Sequence, residues 1–176
     1  AKVLGADLGA PTDTLAKLVH LVEAERFYDS QQRLAATPRW KTATNRELRA
    51  RVERARAGLA DGTITAPALP DWYRDLDATS VVIIDEAGMA GTADLDVAIG
   101  HVMARGGKVC PVGDDQQLSS ISAGGVMRDI AHETGALTLT QVVRFSDAAE
   151  GAASLAVRDG DAAGLGYYAD HGRIHV

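Results

Sequence analysis

Up to about residue 60 the apolar positions recur with a helical period. Leu15, Leu18, Val19 and Val22 fall on one side of a helix predicted over residues 14–33, with Thr12 or Asp13 able to cap its start. Leu48, Val52, Ala55 and Leu59 repeat at i, i+4, i+7 and i+11, so residues 45–60 read as a second amphipathic helix, ended by Asp61-Gly62. Residues 1–7 also read as helix, stopped by Gly9-Ala10-Pro11. Pro38 and the polar run through Asn45 separate the two amphipathic helices. Residues 63–70 lean towards β structure but hold two prolines, which restricts them to an edge hairpin or a loop.

From residue 80 the pattern changes. Strands are predicted at 80–85, 108–112 and 136–139, with another beginning at Arg173; helices are predicted at 92–105, 124–132, 148–157 and 162–168. Strands alternating with helices indicate an α/β fold around a parallel sheet. Val81 to Ile84 are all β-branched, which suits a strand buried on both faces. Two adjacent carboxylates, Asp85 and Glu86, follow that run. Carboxylates are costly to bury unpaired, so they are expected at the C-terminal edge of the sheet, where open α/β sheets bind ligands.

Charge refines this picture locally. The net charge of −6 does not advertise a nucleic-acid binder. Between Arg39 and Arg56, however, Arg39, Lys41, Arg46, Arg49, Arg51, Arg54 and Arg56 stand against Glu47 and Glu53, a local net charge of +5. Arg46, Arg49 and Arg56 fall opposite the apolar side of their helix, either as a solvated face or as a surface for DNA phosphates. The single cysteine, Cys110, excludes an internal disulfide and is expected as a small buried hydrophobe. No run is long and apolar enough for a membrane span and no secretory signal opens the chain, so a bacterial cytoplasmic location is expected.

Two further elements stand behind strands as Asp85-Glu86 does. Gly113-Asp114-Asp115-Gln116-Gln117-Leu118 follows the strand at 108–112, placing it at the same sheet edge. Glycine permits a sharp exit there, and the Gln117 amide can accept from a water while donating to a phosphate oxygen. Leu139-Thr-Gln-Val-Val-Arg144-Phe145 places an arginine after a short strand, where it can stabilise charge on a transferred phosphoryl group. Each signal alone is modest; their order and their shared position after strands make the set specific.

In that order the motifs resemble those of RecD-like helicases of superfamily 1, and within them the helicase region of TraI/TrwC-type conjugative relaxases. Ile83-Ile-Asp-Glu-Ala-Gly-Met89 looks like motif II, a Walker B element; Gly113 to Leu118 with Ser120-Ile-Ser-Ala-Gly-Gly125 looks like motif III; Leu139 to Phe145 looks like motif IV. Residues 1–8 are similar to the tail of motif Ia, and Pro11-Thr-Asp-Thr-Leu15 to motif Ib.

The resemblance implies a RecA-like P-loop NTPase domain, a parallel sheet flanked by helices, that hydrolyses ATP and moves 5′ to 3′ along single-stranded DNA. By position, Asp85 would hold Mg²⁺ with Glu86 nearby, and Glu86 would orient or deprotonate the attacking water. Gln117 would sense the γ-phosphate, and Arg144 would act as the arginine finger. Gly113 and Asp114 would belong to the nucleotide site. Thr12 and Thr14 would touch the DNA backbone, an ordinary helix cap being the alternative for Thr14. Residues 1–26 and 78–176 would form part of the first motor domain, and 27–77 an inserted helical, pin-like segment. Trp40, Trp72 and Tyr73 could stack on bases, with packing into the domain the simpler role.

The chain holds no G-x-x-x-x-G-K-[ST]. The resemblance places that P-loop before residue 1 and a second RecA-like domain after residue 176. On that basis the chain is expected to be a fragment that is inactive and without bound ATP or Mg²⁺ by itself. The strand at 108–112 would have an open edge through which the fragment could self-associate. Partners would be single-stranded DNA and the rest of the polypeptide. The alternatives are a non-hydrolysing RecA-like module that binds single-stranded DNA or a protein, and a RecD-type subunit of a nuclease complex.

Overall fold

The computed structural model describes residues 9–114, 125–139 and 143–174. The chain divides into two compact units, Ala1–Met127 and Arg128–Val176.

In the first unit, helix α1 spans Leu15–Ala35 and starts on Thr14, whose side chain accepts a hydrogen bond from the Lys17 N–H. A short turn, α2 (Arg39–Thr42), leads to α3 (Arg46–Ala60), which is capped by Asn45 through the Leu48 N–H. Both amphipathic helices thus form where the apolar period places them, and they pack on each other. Residues 63–70 form neither helix nor strand, as the two prolines require. After α4 (Asp71–Arg74) comes a βαβ unit of β1 (Val81–Ile84), α5 (Thr92–Ala104) and β2 (Lys108–Pro111). The strands are parallel, in the register Val81↔Lys108 to Ile84↔Pro111.

The core gathers Leu18, Leu21 and Val22 of α1, Tyr73 of α4, Ile84 of β1, and Leu95 and Ala98 of α5. Burying a large side chain of this kind stabilises by about 1.5–3 kcal/mol, so α1 holds the βαβ unit from one side. The other side is open. Val81 and Ile83 are 61% and 50% exposed, against the expectation of a strand buried on both faces. The sheet has two strands among the described residues, and the exposure of Val81 and Ile83 shows that none of the described residues covers that face. Cys110, paired with Ile83, is exposed for the same reason and is not the buried hydrophobe expected.

A polar cluster ties α1, α4 and α5 together. The buried Tyr73 hydroxyl donates to Glu25 Oε2 at 2.7 Å, and Arg105 reaches the same oxygen at 3.3 Å. The His101 ring stacks on Tyr73, with centroids 4.7 Å apart, and the Arg105 guanidinium lies over Tyr73. Burial, and then the Arg105 charge, push the His101 pKa down to about 4. Burial alone would raise Glu25, but hydrogen bonds from Tyr73 and Arg105 hold it below the usual range.

The unfolded chain, with its histidine near 6.5, therefore takes up a proton before the folded one does. Stability is fully present above pH 6.5 and falls as the pH drops towards 4. Urea midpoints should fall across this window, and the slope should flatten in His101→Phe, which keeps a ring beside Tyr73. An unchanged slope would refute the assignment. Tyr73→Phe, which leaves Glu25 with Arg105 alone, should cost about 1 kcal/mol.

The second unit holds most of α6 (Val126–Thr134), whose first two residues belong to the first unit, together with α7 (Ala148–Arg158) and α8 (Gly164–Asp170). Helices α7 and α8 pack on each other, and the Tyr167 hydroxyl donates to Asp147 Oδ2 at 2.6 Å. The strand expected at 136–139 does not form: these residues are irregular, with Leu137 and Leu139 almost fully exposed. β propensity needs a neighbouring strand to pair with, and no described strand pairs with these residues. Arg173 and Ile174 are likewise not in a strand. The helix expected over residues 1–7 lies outside the described residues. No described helix is long and apolar enough to cross a membrane.

Candidate functional site

At the end of β1 the backbone leaves the strand abruptly. Ile84 accepts the Val112 N–H at 2.8 Å, and Asp85 follows with its Oδ1 accepting the Glu86 N–H at 3.0 Å. Glu86 adopts φ 54° and ψ 34°, the left-handed region. It is the only non-glycine residue with positive φ among those described, a conformation that costs about 1–2 kcal/mol outside glycine. A 3₁₀ turn, Ala87–Met89, comes next, and the buried Ala87 donates its N–H to Val112 O at 2.9 Å. The loop after β1 is thus tied to the exit of β2.

Two glycines make that approach possible. A Cβ on Gly88 would lie 2.8 Å from the backbone oxygen of Asp114. One on Gly113 would lie 3.1 Å from Gly88 N and 3.2 Å from Ala87 N. Asp85, Glu86, Gly113 and Asp114 therefore share the C-terminal edge of the two strands, with Asp85 and Glu86 exposed. No described cluster holds three or more metal-ligating side chains. Mg²⁺ is commonly held by one or two carboxylates with waters, so the exposed acid pair suits it.

Thr12 and Thr14 line a groove that runs along β1 to Asp85 and Glu86. Thr14 is the N-cap of α1, the alternative role foreseen for it. Thr14→Ala should cost about 1 kcal/mol while Thr14→Ser retains the cap, measurable by urea denaturation; equal midpoints for the two would contradict the capping role. Trp72 also lines the groove, Tyr73 packs in the core, and Trp40 is 74% exposed.

The three arginines of α3 differ. Arg46 is exposed. Arg49 donates to Ala43 O at 2.6 Å, closing the turn before α3. Arg56 donates from Nε to Ala35 O at 3.0 Å and from Nη2 to Thr37 O at 2.9 Å, satisfying carbonyls at the end of α1. Arg56→Ala should cost about 1–3 kcal/mol, the range for hydrogen bonds from a charged donor. Arg46→Ala should stay within about 0.5 kcal/mol. Equal thermal shifts would contradict this division.

Gln117 lies outside the described residues. Arg144 belongs to the second unit, exposed between exposed Val143 and half-buried Phe145. The strand expected to present it is absent over 136–139, and residues 140–142 lie outside the described ones. Sequence reasoning missed the Glu25–Tyr73–Arg105–His101 cluster, whose members stand up to 80 residues apart. It also missed the close approach at Gly88, for which the Ala-Gly after the acid pair was the available signal.

Parallel strands joined by a helix, with carboxylates and a glycine turn at their C-terminal edge, define a RecA-like α/β domain. A family profile described as an AAA domain matches residues 1–176, and the chain belongs to that family. The resemblance to RecD-like helicases and conjugative relaxases is borne out. The chain is 31% identical over 90 residues to a probable conjugal transfer protein TraA of Sinorhizobium fredii, a match covering 50% of this chain and 8% of that protein. It is 33% identical over 91 residues to conjugal transfer proteins TraA of Agrobacterium fabrum and Rhizobium radiobacter, again over 50% of this chain and 8% of each relative. No solved structure matches the chain.

Proposed function

We propose that this domain is part of an ATP-dependent motor that moves 5′ to 3′ along single-stranded DNA, within a larger protein of conjugal DNA transfer. The observation that carries the reading is the acid pair, in which Glu86 is held in a left-handed conformation and the following turn is fastened to the exit of β2. Strained non-glycine residues concentrate at functional sites. The TraA relatives supply the conjugal context.

On this reading Asp85 holds Mg²⁺, which when bound would neutralise phosphate charge. Glu86 orients the attacking water and takes its proton. Gln117 and Arg144 contact the γ-phosphate, and Gly113 with Asp114 brings the second loop to the site. Thr12, Arg46 and the unused donors of Arg49 and Arg56 meet DNA phosphates. No lysine or arginine is among the described residues lining the groove beside the acid pair. A triphosphate therefore takes its cationic contacts from residues outside that lining, Arg144 among them, and residues 1–176, which hold no P-loop motif, should alone turn over no ATP.

A strand-displacement assay with the whole parent protein tests this reading. A duplex with a 5′ single-stranded tail should be opened when ATP and Mg²⁺ are present, and one with a 3′ tail should not. The reverse preference, or opening without ATP, would overturn it. A second reading, a non-hydrolysing module that binds single-stranded DNA, is favoured by the exposed Arg46 of the locally basic α3; it would bind the tailed duplex and open neither form.

A further inference from the structure

Tyr73, Trp72 and Trp40 meet different fates in the first unit. Tyr73 is buried in the core and Trp72 is half-buried in the groove wall, whereas Trp40 is 74% exposed. Tryptophan is on average a well-buried residue, so an indole left in the open is informative.

The exposure is built into the turn that carries it. Trp40 lies in α2, where the Lys41 N–H reaches Pro38 O at 3.0 Å and the hydroxyl of the buried Thr42 donates to Arg39 O at 2.8 Å. Arg49 fastens the next residue by donating to Ala43 O at 2.6 Å. The backbone on both sides of Trp40 is therefore held, and its ring stays outside.

Positive charge surrounds that ring. Lys41 Nζ lies 5.3 Å from its centroid, and Arg39 and Arg46 are exposed nearby in sequence. No ion pair among the described residues engages these three cations. An open π face beside unpaired cations suits a ligand that offers flat rings and phosphates together. Aromatic stacking along a positive track is how single strands are held without sequence preference. A duplex offers the phosphates but keeps its base faces inside the stack. A lipid surface would need an apolar helix face, and the apolar side of α3, with Val52 and Ala55, is buried.

We infer that the α2 turn is a stacking platform for single-stranded DNA, on which Trp40 takes a base while Arg39 and Lys41 take the flanking phosphates. The inference rests on the proposed function in taking single-stranded DNA as the ligand, and adds a base contact that needs no ATP.

The test follows binding to the parent protein by fluorescence anisotropy, without ATP, for the original and its Trp40→Ala and Trp40→Phe forms. The labelled probes are a 12-mer of thymidylate, an abasic 12-mer with the same phosphates, and a blunt 12-base-pair duplex. Trp40→Ala should weaken the thymidylate strand about tenfold and the other two less than about twofold, the difference being the stacked base. Trp40→Phe should recover most of that loss, and all three proteins should melt together because the ring is exposed. Equal losses on the three probes, or none on thymidylate, would overturn the inference and leave the motor reading standing. A parent protein that bound no thymidylate strand would overturn both. Phosphatidylglycerol vesicles should bind the original and Trp40→Ala alike; binding to them that needs Trp40, with none lost on thymidylate, would make the turn a lipid contact instead.

Discussion

Replacing Glu86 with glycine is expected to make this domain more stable and the motor inactive. The residue sits at φ 54°, where an L side chain crowds its own backbone and glycine does not. Glu86→Gly should raise stability by about 1 kcal/mol, the left-handed penalty less the greater freedom glycine gives the unfolded chain. In the parent protein the same change removes the proposed base, and DNA-stimulated ATP turnover should fall at least about 100-fold. Glu86→Gln keeps the backbone strain and the side-chain volume, so it should lose turnover without gaining stability. The pair separates the two roles: urea denaturation reads the strain and ATPase assays read the chemistry. If Glu86→Gly destabilises the domain, the left-handed conformation is not a strain that glycine relieves.

A large loss of stability is expected at Gly88. Its missing Cβ would lie 2.8 Å from a backbone oxygen of Asp114, an atom that cannot swing aside as a side-chain tip can. Gly88→Val should therefore push the two loops apart and cost about 3 kcal/mol, the upper range for overpacking. It should also weaken the Ala87 to Val112 hydrogen bond that joins them. Gly100 is the control. It lies within α5 and an added Cβ there meets nothing within 4 Å, so Gly100→Ala should stabilise by about 0.5–1 kcal/mol through helix propensity. Thermal melts of the two variants should move in opposite directions. A neutral Gly88→Val would mean that the loops do not approach as described.

Local signals carried as far as local physics does. Helices α1 and α3 were legible from their apolar periods; the caps fall on Thr14, where Thr12 or Asp13 was expected first, and on Asn45, for which no capping role was read. The βαβ unit was legible because β-branched Val81–Ile84 and the Lys108–Val112 run flank an apolar helical stretch. Placement of Asp85 and Gly113 at one edge followed from that order alone. The rest depends on partners that a local pattern does not report. Val81 and Ile83 are apolar enough for burial on both faces, yet burial needs something laid against them. Leu137 and Leu139 have strand-like neighbours in sequence but no ladder to join. The four-residue helices α2 and α4 begin just after Pro38 and Pro70, which read in sequence only as breaks. Glu25, Tyr73, His101 and Arg105 meet through the packing of three helices, and no spacing announces them.

The measurement that bears most directly on the acid pair is single-turnover ATP cleavage by the parent protein on single-stranded DNA, with and without Glu86→Gln. The account predicts that the variant binds Mg²⁺-ATP with affinity within about threefold of the original and cleaves it at least about 100-fold more slowly, the range for losing a positioned general base. Cleavage at an equal rate in both proteins would contradict it.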